Sequence, residues 1–118
     1  MVADRGNNRL QNFSLAGEHI GFVTDELRRP CHFDQRNGEL LVPDLNGRVT
    51  IFDKDNKLIT HLGDNPEIWN TKGWPNIPHE MRVTGKFVSP HAACWDAQGN
   101  IYVVEWIRDG RVTKLRRV

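Results

Sequence analysis

The feature that most limits what this chain can fold into is a short unit that occurs three times. "VADRGNNRLQNF" (Val2 to Phe13) returns as "LVPDLNGRVTIF" (Leu41 to Phe52) and as "VVEWIRDGRVTKL" (Val103 to Leu115). Each copy reads as a strand closing near an acid, a tight polar loop, and an Arg that opens a second strand. Ahead of the later two copies stand "RPCHFDQRNGE" and "SPHAACWDAQGN", each read as an apolar strand ending in Asp and followed by a Gly turn. Behind the first two come "SLAGEHIGFV" and "DKDNKLITHLG", each a turn and a further strand. No segment holds an apolar 3.6-residue period for three turns, so the chain is all-β.

The full unit is therefore four antiparallel strands, a to d. Arg9 and Arg48 are about 40 residues apart, within reach of the roughly 40 to 45 of a four-stranded propeller blade. Arg48 and Arg111 are about 60 apart, so an insertion of about 20 residues separates the second and third units. Strand counting predicts b, c and d in the first unit, all four in the second, and a, b and c in the third. The expected divisions are a partial blade over 1–27, a blade over 28–63, the insertion over 64–85, and a partial blade over 86–118. Radial arrangement of such blades is the usual architecture for this pattern.

"VADRGNNRLQNF", "GEHIGFV" and "SPHAACWDAQGNIYVVEW" carry a specific resemblance. They resemble the NHL repeat, and the whole chain is similar to the C-terminal half of six-bladed NHL propellers related to peptidylglycine amidating lyase. Three blades do not close a ring, and the outer blades would expose apolar faces and unpaired strand edges. A half-propeller of this kind needs a partner. Two copies supply the six blades of the family it resembles, and a homodimer is the expected assembly.

Bulk composition excludes other classes. The 118 residues form one domain by length, and the net charge of +1 gives no footprint for nucleic acid. The basic tail "KLRRV" reads as a solvated strand end. No apolar run reaches membrane-spanning length, and no signal-peptide pattern opens the chain. The two cysteines, Cys31 and Cys94, are too far apart for a CxxC motif and read as buried, unbridged strand residues.

Alternating strand direction places the b-to-c loops, the insertion and the start of strand a on one face. That face gathers 4–8, 44–47, 105–110, 63–83 and His91. In the lyase-like propellers, histidines at the start of inner strands converge on a metal, usually zinc, and His91 in "PHAACWD" matches such a position. The resemblance thus implies a divalent metal, zinc first and calcium as the alternative, held at His91. The residue alone reads as a hydrogen-bonded histidine lining a channel. His32 takes the register of Cys94 rather than of His91. His79, in the insertion, lies where it could reach the channel mouth. His19 and His61 fall on outer strands, where structural roles dominate.

The repeated acid–Arg pattern of Asp4, Asp44 and Glu105 with Arg9, Arg48 and Arg111 reads as scaffold. Glu105 is the exception, because the "EWIRDG" loop brings Trp106 and Arg108 with it. The candidate catalytic set is Glu105, Arg108 and His79, with Trp69, Trp74 and Trp106 as substrate-binding aromatics. Trp69 and Trp74 in the insertion fit three roles: gripping a ligand, plugging the channel, or burying at a subunit contact. Asp34 and Asp96, at the opposite face, read as turn formers through Asx hydrogen bonds.

Two functions follow as expectations. One is a metal-assisted hydrolase in the central channel, acting on a small ester, lactone or phosphotriester. The other is a non-catalytic scaffold that binds protein or peptide through the loop face.

Overall fold

The computed structural model describes all residues from Met1 to Val118. It is all-β, with three antiparallel sheets of three, four and three strands, none of them closed. The first sheet holds β1 (Val2–Asp4), β2 (Arg9–Phe13) and β3 (His19–Val23). The second holds β4 (Asp34–Arg36), β5 (Glu39–Asp44), β6 (Arg48–Phe52) and β7 (Leu58–Leu62). The third holds β8 (Pro90–Trp95), β9 (Ile101–Glu105) and β10 (Arg111–Leu115). Strands within each sheet pair in chain order, so every connection inside a sheet is a hairpin. No helix is long and apolar enough to cross a membrane.

The second sheet is buried on both faces. Leu40, Val42 and Phe52 pack with Leu10 and Val23 of the first sheet. Leu41, Val49 and Ile51 turn the other way, onto Ala93, Ile101 and Val103 of the third. This explains why β5 contains the unbroken apolar run Leu40–Leu41–Val42, since neither side of that strand faces water. The first and third sheets each use one face, and their outer faces keep Val2, Ile20 and Phe22, and Val104 and Val112, exposed.

The insertion folds back onto the third sheet. Ile77 packs with Val88 and Ile107, and Trp74 lies half-buried against them. Asn65 accepts this placement at the β5–β6 loop, donating its N–H to the carbonyl of Gly47 (2.9 Å). A Cβ on Gly47 would stand 2.6 Å from Ile68 Cγ2, and the residue has φ +76, so only glycine fits there.

Three expectations are corrected. Strand a of the second sheet begins at Asp34, where it was expected to end; only an isolated bridge, Pro30 to Asp44, precedes it. The bonds that flank this bridge, Cys31 N–H to the Pro43 carbonyl (3.0 Å) and Leu45 N–H to the Arg29 carbonyl (2.9 Å), need no N–H from Pro30, and pairing lapses only between Cys31 and Asp34. Cys31 and Cys94 are unbridged, but Cys31 is only half-buried and Cys94 is exposed. Cys94 belongs to the strand expected for it, on the outer face of the third sheet, where no neighbouring sheet covers it. Asp96 is an Asx turn, accepting the N–H groups of Gln98 (3.0 Å) and Asn100 (2.9 Å). Asp34 does something else: its Oδ2 accepts the N–H of Trp95 (3.0 Å) and ties the second sheet to the third.

Candidate functional site

The three loops that follow β1, β5 and β9 are built on one device. Asp4 accepts Arg9 Nε (2.7 Å), together with the side-chain amides of Asn7 (2.9 Å) and Gln11 (2.8 Å). Asp44 accepts Arg48 Nε (3.1 Å), and Glu105 accepts Arg111 Nε. In the second and third sheets the acid also anchors the segment leading into the innermost strand. Asp44 Oδ1 accepts the N–H of Arg28 (2.8 Å). Glu105 Oε1 accepts those of Val88 (2.6 Å) and Ser89 (3.0 Å). Burial removes these carboxylates from water, and the ion pair plus backbone donors replaces the lost hydration.

Glu105 therefore has both oxygens engaged and a fully buried side chain. Its contacts hold the β9–β10 loop against the chain that leaves the insertion, and neither oxygen faces the loop cleft.

His79, Arg108 and Trp106 do come together, around Asn76. Asn76 Oδ1 accepts the backbone N–H of Arg108 (2.6 Å), which docks the insertion on the β9–β10 loop. Two adjoining cavities meet there. One of about 190 Å³ is lined by Pro75, Asn76, Trp106, Ile107 and Arg108. The other, about 220 Å³, adds Ile77, Pro78, His79, Arg82 and Asp109. Arg82 donates to both carboxylate oxygens of Asp109, each at 3.0 Å, and His79 Nε2 lies 2.7 Å from Asp109 Oδ2. The Arg82 guanidinium holds the Asp109 carboxyl down at about 2, so this acid is ionised and fully used. Arg108 differs: its guanidinium has neither an ion-pair nor a hydrogen-bond partner. Beside it Trp106 is 57% exposed.

The other aromatics are used elsewhere. Trp74 donates its indole N–H to the carbonyl of Val88 (2.9 Å) and fixes the insertion to its own chain. Trp69 is half-buried beneath Arg28, whose guanidinium lies 4.8 Å from the ring centroid. Asn76, Arg82 and Asp109 were not singled out in the sequence. Arg82 and Asp109 are 27 residues apart, and a pairing of that separation between two loops leaves no periodic signature.

His91 is exposed and makes no hydrogen bond or ion pair. It is the extra residue where the β8–β9 register shifts between Pro90 and Ala92. Nowhere in the chain do three or more His, Cys, Asp or Glu side chains converge. A zinc centre needs at least three such ligands, so a single chain does not assemble a zinc set from these residues.

The largest cavity, about 530 Å³, opens between the outer strands of the second and third sheets, lined by Ile51, Leu62, Trp95, Ile101 and Leu115 among others. It is continuous with the apolar core and contains none of the site residues named above. The largest cavity also holds the cations Lys114, Arg116 and Arg117, none in an ion pair, but beside the half-buried Trp95; the polar cleft at Trp106 and Arg108 is the better candidate, because there the unpaired guanidinium stands beside an exposed indole. No family model, curated protein or solved structure is similar to this chain.

Proposed function

We propose that this chain is a propeller-type binding scaffold whose loop face holds an acidic peptide segment in the cleft between Trp106 and Arg108. The observation that carries the reading is the unpaired Arg108 guanidinium beside the exposed Trp106 ring. A guanidinium matches a carboxylate with two parallel hydrogen bonds, and an indole face packs an adjacent apolar side chain. Trp and Arg are also the residues that most often dominate binding surfaces. Trp fluorescence titration with a short Asp/Glu-rich peptide tests it. Arg108→Ala should weaken binding at least tenfold, and Arg5→Ala, at a different loop, should not. Equal affinity in the wild type and Arg108→Ala contradicts the reading.

The scaffold reading includes an NHL-type arrangement of three blades per chain, closed into six by a second copy. Repeat equivalence supports it. Val112 holds the place of Leu10 and Val49, and Val2 holds that of Val42 and Val103; the interior four are fully buried against a neighbouring sheet, whereas Val112 and Val2 are exposed. The outer face of the third sheet thus has the chemistry of faces that meet a further sheet inside this same chain. A second copy offers that face its complement.

One observation favours a second reading, a metal-assisted hydrolase in the channel. His91 is exposed and unpartnered on β8, an edge strand. A closed ring of two chains would hold two such histidines, still short of a full ligand set. Metal analysis of the purified assembly, with His91→Ala as control, separates the readings. Stoichiometric zinc or calcium that is lost in His91→Ala supports the hydrolase.

A further inference from the structure

A chain of polar side chains runs from one acid of the loop device into the connection between the first and second sheets. It starts at Asp44, which is fully buried. Thr50, also fully buried, has its hydroxyl 2.9 Å from Asp44 Oδ2 and 3.0 Å from His61 Nδ1. His61 Nε2 in turn lies 2.9 Å from Glu26 Oε2. Glu26 belongs to the connection between β3 and β4, and its own carbonyl accepts Arg48 Nη2 (2.7 Å). The chain therefore runs from the core of the second sheet, across β6 and β7, to the segment that joins the first sheet to the second.

Its protons can be counted. A threonine hydroxyl has one proton, and here it has two neighbours. If Thr50 donates to Asp44, the ring must donate from Nδ1. If Thr50 donates to Nδ1, Asp44 must be protonated. At the other end, either Nε2 donates to the Glu26 carboxylate or Glu26 is protonated. Every arrangement that makes all three hydrogen bonds leaves Asp44, His61 and Glu26 together with one proton more than two carboxylates and a neutral imidazole have. The conclusion does not depend on which of the three holds it.

We infer that Asp44, Thr50, His61 and Glu26 form a proton-binding lock that fastens the connection between the first two sheets and opens when its extra proton leaves. Without that proton one hydrogen bond must fail. Asp44 and Thr50 have no access to water, whereas the Glu26 side chain is 47% exposed, so the His61–Glu26 contact is the one that opens. The surrounding charges are mixed. Arg28 and Arg48 face Asp44, Asp64 pairs with Arg28 close to His61, and the Cys31 thiol is also near Asp44. Burial pushes the Asp44 carboxyl up, against the pull of the Arg28 N–H, Arg48 and Thr50, which favours retention of a proton at the inner end.

In the unfolded chain a histidine loses its charge near about pH 6.5, and both carboxyls are ionised well below that. For as long as all three hydrogen bonds are kept above about pH 6.5, the folded lock binds one proton more than the unfolded chain, and stability then falls as pH rises. The unfolding constant should climb about tenfold per pH unit until the folded lock itself releases the proton. The direct test is NMR of the wild-type protein at pH 7, reading the two ring nitrogens of His61 and the carboxyl carbons of Asp44 and Glu26. One extra proton among the three is expected; a neutral ring with both carboxylates ionised overturns the inference. Glu26→Gln gives a second readout, because an amide donates to Nε2 and satisfies a neutral ring. Its urea-unfolding profile from pH 6.5 to 8.5 should lose up to about tenfold per pH unit of the wild-type dependence. Superimposable pH profiles for the two proteins would contradict the lock.

Discussion

Leu10 and Val112 occupy the same place in the repeat, one residue after the Arg that opens a strand, yet Leu10 is 0% exposed and Val112 is 70% exposed. The difference lies only in what stands opposite: the second sheet covers Leu10, and no part of this chain covers Val112. Leu10→Ala should cost about 2–5 kcal/mol in urea unfolding, the usual range for a buried leucine. Val112→Ala should leave the stability of the single chain almost unchanged. Similar losses for both would mean that Val112 is covered, and a dependence of the Val112→Ala loss on protein concentration would assign the cover to a second copy rather than to the chain itself.

The acid–Arg pairs should not be equivalent. Glu105→Gln leaves Arg111 without its anion and weakens two backbone contacts at a buried site, which should cost about 3–5 kcal/mol. Asp4→Asn acts at a partly exposed, solvent-screened pair and should cost clearly less. Equilibrium unfolding of both variants checks the order, and a mild Glu105→Gln phenotype would return that carboxylate to the list of functional groups.

The cysteines should separate in a thiol-labelling experiment. Burial pushes the Cys31 thiol up, against the pull of Arg5, so it should react slowly near neutral pH. Cys94 is exposed on the outer face of the third sheet and should react first. If that face docks on a second copy, Cys94 labelling should also slow as protein concentration rises. Labelling of Cys94 that ignores concentration counts against the docked face.

Acid should release the insertion late. Asp109 is held at about 2 by Arg82, against 3.8 for an ordinary Asp side chain. A lowered folded value means that the contribution of the pair is complete above pH 3.8 and is lost as pH falls through about 2. Trp fluorescence between pH 5 and 1.5 should therefore change near the lower limit, and Arg82→Ala should move the change upward. An unshifted midpoint in Arg82→Ala removes the pair from the account.

Strand number and order were legible because the acid–loop–Arg unit marks the β1–β2, β5–β6 and β9–β10 hairpins directly. The start of β4 was not, because "RPCHFD" is apolar enough for a strand and the broken ladder after Pro30 depends on what its partner strand does. Cys94 illustrates a second limit. Its strand position was readable, but its burial depends on whether a sheet lies beyond, which composition cannot state. At the cleft, Arg108, His79 and Trp106 were legible as loop residues of unusual chemistry. Asn76, Arg82 and Asp109 were not, since their contacts join the insertion to a hairpin across about 30 residues of sequence with no shared period.

The central claim is that the uncovered outer faces meet in a second copy of the chain, and its most direct test is the mass in solution. Light scattering on the purified protein should give twice the 13.6 kDa of one chain, and Val112→Glu, a charge placed on the outer face of the third sheet, should give the single-chain mass with the β-content intact. A wild-type protein that is folded, stable and 13.6 kDa in solution would contradict it.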